Sequence, residues 1–100
     1  MAQVIEIMYL VADSNYTNIF LSDGKKFMAT HNLGEFEKLI DNPSFFRIHK
    51  STLININYVT GYSSYEGFFV EMKDGKKLDI SRRKVEEFKN WIKEYSSSFD

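Results

Sequence analysis

The chain contains no cysteine. That excludes disulfides, thiolate ligands and a cysteine nucleophile, and a structural zinc would have to rest on two histidines and carboxylates. No apolar run approaches the ~18 residues needed to span a bilayer, and no signal peptide opens the sequence, so a cytoplasmic location is expected. Neither a Gly-x-Ser-x-Gly elbow nor a glycine-rich phosphate loop is present. Net charge is nearly absent too, at −1. A protein that coats nucleic acid through bulk positive charge is thereby excluded.

What is there fits one small domain, 100 residues and 11.8 kDa. Folding at this size buries about two-thirds of the chain's surface, enough for a core without staples. A single domain over residues 1–100 is expected, with 96–100 as a frayed tail. Met1-Ala2-Gln3 reads as a plain start or as the beginning of a piece cut from a longer protein. Val, Ile, Thr, Phe, Tyr and Trp supply 34 residues against 13 for Ala, Leu and Met. Branched and aromatic side chains suit a pleated surface, so β structure should dominate.

The periodicity divides the chain accordingly. Val4 to Ala12 is apolar except for Glu6, as in a strand covered on both faces. Asp13-Ser14-Asn15 is a turn, Tyr16 to Leu21 alternates, and Asp23-Gly24 signals a hairpin returning through Lys26 to Ala29. Leu33, Phe36, Leu39 and Ile40 share one helical face, with Asn32 and Glu35 as a capping box and Asp41-Asn42-Pro43 as the stop. Phe46, Ile48, Ile54, Ile56 and Tyr58 keep a period of two. An unbroken strand would bury Lys50 and Thr52 among them, so a break is expected at His49 to Thr52, its polar residues turned to solvent. Gly61 to Ser64 reads as a loop. Phe68, Val70 and Met72 alternate up to an Asp74-Gly75 hairpin that echoes the first. Ser81 is expected to cap a last helix whose apolar face carries Val85, Phe88, Ile92 and Tyr95, with Trp91 beside them.

Catalysis finds little footing. His31 and His49 have no ligand-like companions, and 100 residues leave little room for a deep pocket, so neither an enzyme nor a metal or cofactor site is expected. Three polar clusters remain, each where the periodicity breaks: Asn15-Tyr16-Thr17-Asn18, Arg47 to Thr52, and Ser81-Arg82-Arg83-Lys84. Turn chemistry and solvated surface charge would account for all three. Three cations at a helix N-terminus are misplaced against the helix dipole, however, and a phosphate-bearing partner would satisfy them. The residues alone place nucleic-acid binding slightly ahead of a generic interaction surface.

Taken together, these signatures resemble the LytTR domain, a β-rich DNA-binding module of bacterial response regulators. Ile7-Met8-Tyr9-Leu10-Val11-Ala12 is similar to the opening Ile-x-Tyr-Ile-x-Ala strand of that family. Arg47-Ile48-His49-Lys50-Ser51-Thr52-Leu53-Ile54-Asn55 resembles its Arg-x-His-(Arg or Lys)-Ser-x-x-Val-Asn signature, and Ile80-Ser81-Arg82-Arg83 its closing (Val or Ile)-Ser-Arg-Arg. The resemblance runs from about residue 5 to residue 95. It implies a mainly β (α+β) fold: an elongated stack of small antiparallel sheets with a short mid-chain helix and a C-terminal helix.

The function implied is sequence-specific binding of double-stranded DNA for transcription regulation, through loops inserted into successive major grooves. Paired direct repeats, a second copy on DNA, and a receiver or sensor domain outside this chain are implied as partners. By motif, Thr17, Lys50 and Arg83 fall at base-contacting positions. Arg82, Lys84, Ser51 and Asn18 are expected to position the backbone, with Asn15, Tyr16 and His49 in the same loops. His49 and Asn55 are expected to brace the break, while Arg47 either pairs with an acid or faces phosphate. Family members commonly carry more strand sequence ahead of the opening motif. The rival reading is a β-rich protein- or peptide-binding module using Phe45, Phe68, Phe69, Tyr62 and Tyr65 as an exposed patch.

Overall fold

The computed structural model describes residues 6–65 and 67–99, with side chains through Tyr95. The sequence ahead of Glu6 and the side chains of the expected tail therefore lie outside the described residues.

Strands β1 (Ile7–Asp13), β2 (Tyr16–Leu21) and β3 (Lys26–Ala29) form an antiparallel meander, followed by helix α1 (Leu33–Ile40). Strands β4 (Phe45–His49) and β5 (Thr52–Asn55) make a hairpin whose β5 pairs with β1, giving a five-stranded sheet of order β3-β2-β1-β5-β4. A short 3-10 turn at Ile56–Tyr58 leads to a second sheet of β6 (Val59–Ser63), β7 (Phe69–Met72) and β8 (Lys77–Asp79). Another 3-10 turn, Arg82–Lys84, leads into helix α2 (Val85–Phe99). The expected stack of antiparallel sheets with two helices is what forms, although extents of 33 × 28 × 25 Å make it only slightly elongated.

Burial follows from the sheet order. β1 is central, and Met8, Tyr9 and Leu10 are buried in succession, as its apolar run implies. Leu10 meets Leu33 and Leu53 beneath α1, while Met8, Tyr9, Ile48 and Ile54 face the second sheet and α2. On that side Phe46 stacks on Trp91 and meets Phe88 edge-on. The indole N–H of Trp91 donates to the Pro43 carbonyl at 2.8 Å, fixing α2 to the segment after α1. Each such buried apolar side chain contributes about 1.5–3 kcal/mol.

Local chemistry sets the turns. Asn32 caps α1 through its side-chain oxygen, which accepts from the Glu35 amide at 2.9 Å; Glu35 returns to the Asn32 side-chain amide. Asp41 ends the helix in the left-handed conformation. The two Asp-Gly hairpins match bond for bond. Leu21 N–H donates to Lys25 O and Met72 N–H to Lys76 O, and each aspartate accepts from the amide two residues on at 3.0 Å. Gly24 and Gly75 have φ of +91° and +87°, which only glycine adopts without strain.

Three expectations need correction. Gly61 to Ser63 is strand, held by pairing to β7 despite its turn-like composition. Ser81 makes no side-chain cap, for it begins the 3-10 turn and its amide donates to Ile48 O at 2.7 Å. Thr52 is buried in β5 rather than turned to solvent.

Candidate nucleic-acid interface

β1 and β2 turn at Ser14-Asn15, and β4 and β5 turn at Lys50-Ser51. Because Val11 pairs with Thr52 and the Ala12 amide donates to Ser51 O at 2.8 Å, both turns project from one end of the large sheet. The Ser81–Lys84 turn joins them there, since Ser81 is bonded to Ile48, next to the β4–β5 turn. Lys50 and Arg83 are 33 positions apart in sequence, yet both line one open cleft of about 480 Å³. Glu37, Arg47, His49, Ser81 and Lys84 complete its walls.

The β4–β5 loop is held from three sides. The Arg47 guanidinium ion-pairs with Glu37 of α1 at 2.9 Å, donates to His49 O at 3.3 Å, and donates to Lys50 O. Arg47 thus pairs with an acid and is not directed outward. The Ser51 amide donates to His49 Nδ1 at 3.2 Å, and the Ser51 hydroxyl lies 2.9 Å from the same nitrogen. This contact turns His49 Nδ1 inward onto the loop. The expected brace across the break is therefore present in His49. Asn55 braces elsewhere: its side-chain amide donates to Ile7 O and its oxygen accepts from the Asn57 amide. The register also slips between Arg47 and His49, an irregularity of the kind that re-aims side chains.

The candidate residues divide by exposure. Lys50, Arg82, Arg83, Asn15 and Tyr16 are exposed, and among the described residues no carboxylate pairs with Lys50, Arg82 or Arg83. Ser51 and His49 are half-buried in the loop. Lys84 is partly committed, 3.5 Å from Glu87 and above the Phe46 ring. Asn18 is half-buried on β2, and its enclosed Oδ1 has no partner among the described residues. Thr17 corrects an expectation. It is fully buried and its hydroxyl donates to His31 O at 2.8 Å, so it ties β2 to the start of α1 and presents nothing to a ligand. The sequence left Arg47 between an acid and a phosphate and did not single out Glu37, which belongs to a separate element.

Of the five aromatics of the rival patch, only Tyr62 and Tyr65 are exposed. Phe45 packs in the α1 cluster and Phe68 against the inter-sheet core, while Tyr62 lies edge-on to Phe88. Among the described residues no helix is long and apolar enough to cross a membrane, and no group of three or more His, Asp or Glu could hold a metal.

Unpaired cations on short loops at one end of a β scaffold, around an open cleft, make a surface suited to a polyanion. The family comparison names the class: the chain belongs to the LytTr DNA-binding domain family, whose model matches residues 1–93. Among solved structures, it is similar to the LytTr DNA-binding domain of a Bacillus cereus protein described as a methyl-accepting/DNA response regulator. The TM-score is 0.80 at 24% identity, over 91% of this chain and 84% of that one. Comparison with curated proteins finds no match.

Proposed function

We propose that this domain reads specific sequences in double-stranded DNA, for transcription regulation in bacteria, by presenting its loops to successive major grooves. The convergence of Lys50 and Arg83 in one cleft carries this reading, with the Asn15-Tyr16 turn at the same end of the sheet. A lysine or arginine can donate to guanine O6 and N7 in the major groove, and discrimination of about 1–3 kcal/mol per good contact is the usual scale. In this reading Lys50 and Arg83 reach base edges, while Arg82, Lys84 and Ser51 hold backbone phosphates on a loop braced by His49. Asn15 and Tyr16 meet the duplex beside them.

Phosphate contacts fix register without reading sequence, so a nearly neutral scaffold suffices when a few side chains discriminate. Two copies side by side on paired direct repeats fit a footprint this small, and a receiver or sensor domain outside this chain would control occupancy. The experiment is selection of bound duplexes from a random pool, followed by titration of the winner and a shuffled duplex at two salt concentrations. Recovery of a defined motif with a retained preference at higher salt supports the reading. Equal affinity for both duplexes at both salts contradicts it.

A further inference from the structure

The end of the molecule opposite the loops carries a second feature. Segments 22–26 and 73–77 are the two matched Asp-Gly turns, and between them they hold five lysines against two aspartates. They belong to different sheets, and the second is tied to β1 and to the Ile56–Tyr58 turn. The Tyr9 hydroxyl donates to Asp74 Oδ2 at 2.7 Å, and the Lys73 amide donates to Tyr58 O at 2.7 Å.

Between the turns lies a cleft of about 250 Å³ with Met8, Phe20 and Leu21 as its apolar floor and Lys25, Lys73 and Asp74 at its edge. Lys26 stands 5.9 Å above the Phe20 ring. Two aspartates accompany the five lysines, so the paired turns stay net positive. Asp23 is 4.0 Å from Lys25, whereas Asp74 spends one oxygen on Tyr9 and the other on the Lys76 amide. Glu6 adjoins the first turn, its carbonyl accepting from Ser22 N–H, and Glu71 lies cross-strand from Lys77.

We infer that this cleft docks an acidic protein segment bearing one large apolar side chain. The cleft is smaller than the ~300 Å³ at which small-molecule pockets begin, so one side chain of a longer segment fits it better than a free metabolite. The lysine rim supplies the charge complementarity that steers an acidic partner. A duplex seated on the loops does not serve these lysines, because the six residues of β2 alone hold the two ends about 20 Å apart. The site therefore stays open when the domain is on DNA, and it gives the domain a way to engage a second protein there.

The test uses the full chain, free and then with mixed-sequence duplex DNA. A glutamate-rich peptide carrying one phenylalanine is titrated in, with an all-glutamate peptide and a lysine-rich peptide as controls, and backbone amide shifts are followed by NMR. The expected shifts fall on residues 20–26 and 72–77, persist with DNA present, and are absent with the lysine-rich peptide. The variant combining Lys25→Glu and Lys73→Glu should bind the peptide about tenfold more weakly while its affinity for duplex stays unchanged. The inference is overturned by shifts centred on Lys50 and Arg83, by displacement of the peptide by DNA, or by equal binding of the all-glutamate peptide. Weakened duplex binding in the charge-reversed variant overturns it as well, by assigning the lysines to DNA.

Discussion

Arg47 holds the carbonyl of Lys50, the residue at the tip of the loop three positions on, while its other side-chain nitrogens engage His49 O and Glu37. One guanidinium thereby joins α1, β4 and the loop. Its geometry explains how a two-residue turn can present a lysine in one direction without a helix beneath it.

Replacing Arg47 with alanine should cost about 1–3 kcal/mol in urea unfolding, the scale of hydrogen bonds to a charged group. Glu37→Gln should cost under ~1 kcal/mol, since it breaks only a half-exposed ion pair. On DNA, Arg47→Ala should reduce the preference for the selected duplex more than the affinity for a shuffled one.

Thr17→Val is the check on a corrected residue. It should lower stability by about 0.5–1.5 kcal/mol through loss of the bond to His31 O. Duplex affinity of the folded variant should match the parent, because the side chain is enclosed.

The matched turns predict matched penalties. Gly24→Ala and Gly75→Ala should each destabilise by about 1–2 kcal/mol in chemical denaturation, the cost of holding an L-residue at positive φ. A Cβ would meet no atom within 4 Å at either site, so the effect is one of backbone alone.

Tyr9 gives the pH dependence. Burial, then the hydrogen bond and charge of Asp74, push its hydroxyl well above the ordinary tyrosine range. Its contribution to stability is complete below the unfolded value near pH 10 and is lost as pH rises beyond it. Alkaline unfolding followed by circular dichroism should therefore begin above about pH 10. Tyr9→Phe, which has no proton to lose, should flatten that limb while lowering stability at neutral pH.

Much of the scaffold was legible because its signals are local. Alternation in β2 and β7, the Asp-Gly turns and the Asn32–Glu35 cap each lie within a few residues. The break at Lys50 was legible for the same reason: an unbroken strand would have buried a lysine. Features decided across the fold were not. Strand β6 contains Gly61 and Ser63, which read as loop until β7 supplies a partner; Ser81 looks like a cap until Ile48 O takes its amide. Thr17 occupies a motif position yet faces the α1 side, because strand parity is fixed by sheet packing. Arg47 could be read toward an acid or a phosphate, and only the approach of α1 brings Glu37 to it.

In the proposed function Lys50 and Arg83 read one duplex from a shared cleft. The most direct test is titration of the selected and shuffled duplexes with Lys50→Ala, Arg83→Ala and the double variant at two salt concentrations. Each single variant should lose about 1–3 kcal/mol on the selected duplex and much less on the shuffled one, with thermal stability unchanged. Full retention of the preference by both variants would contradict the account.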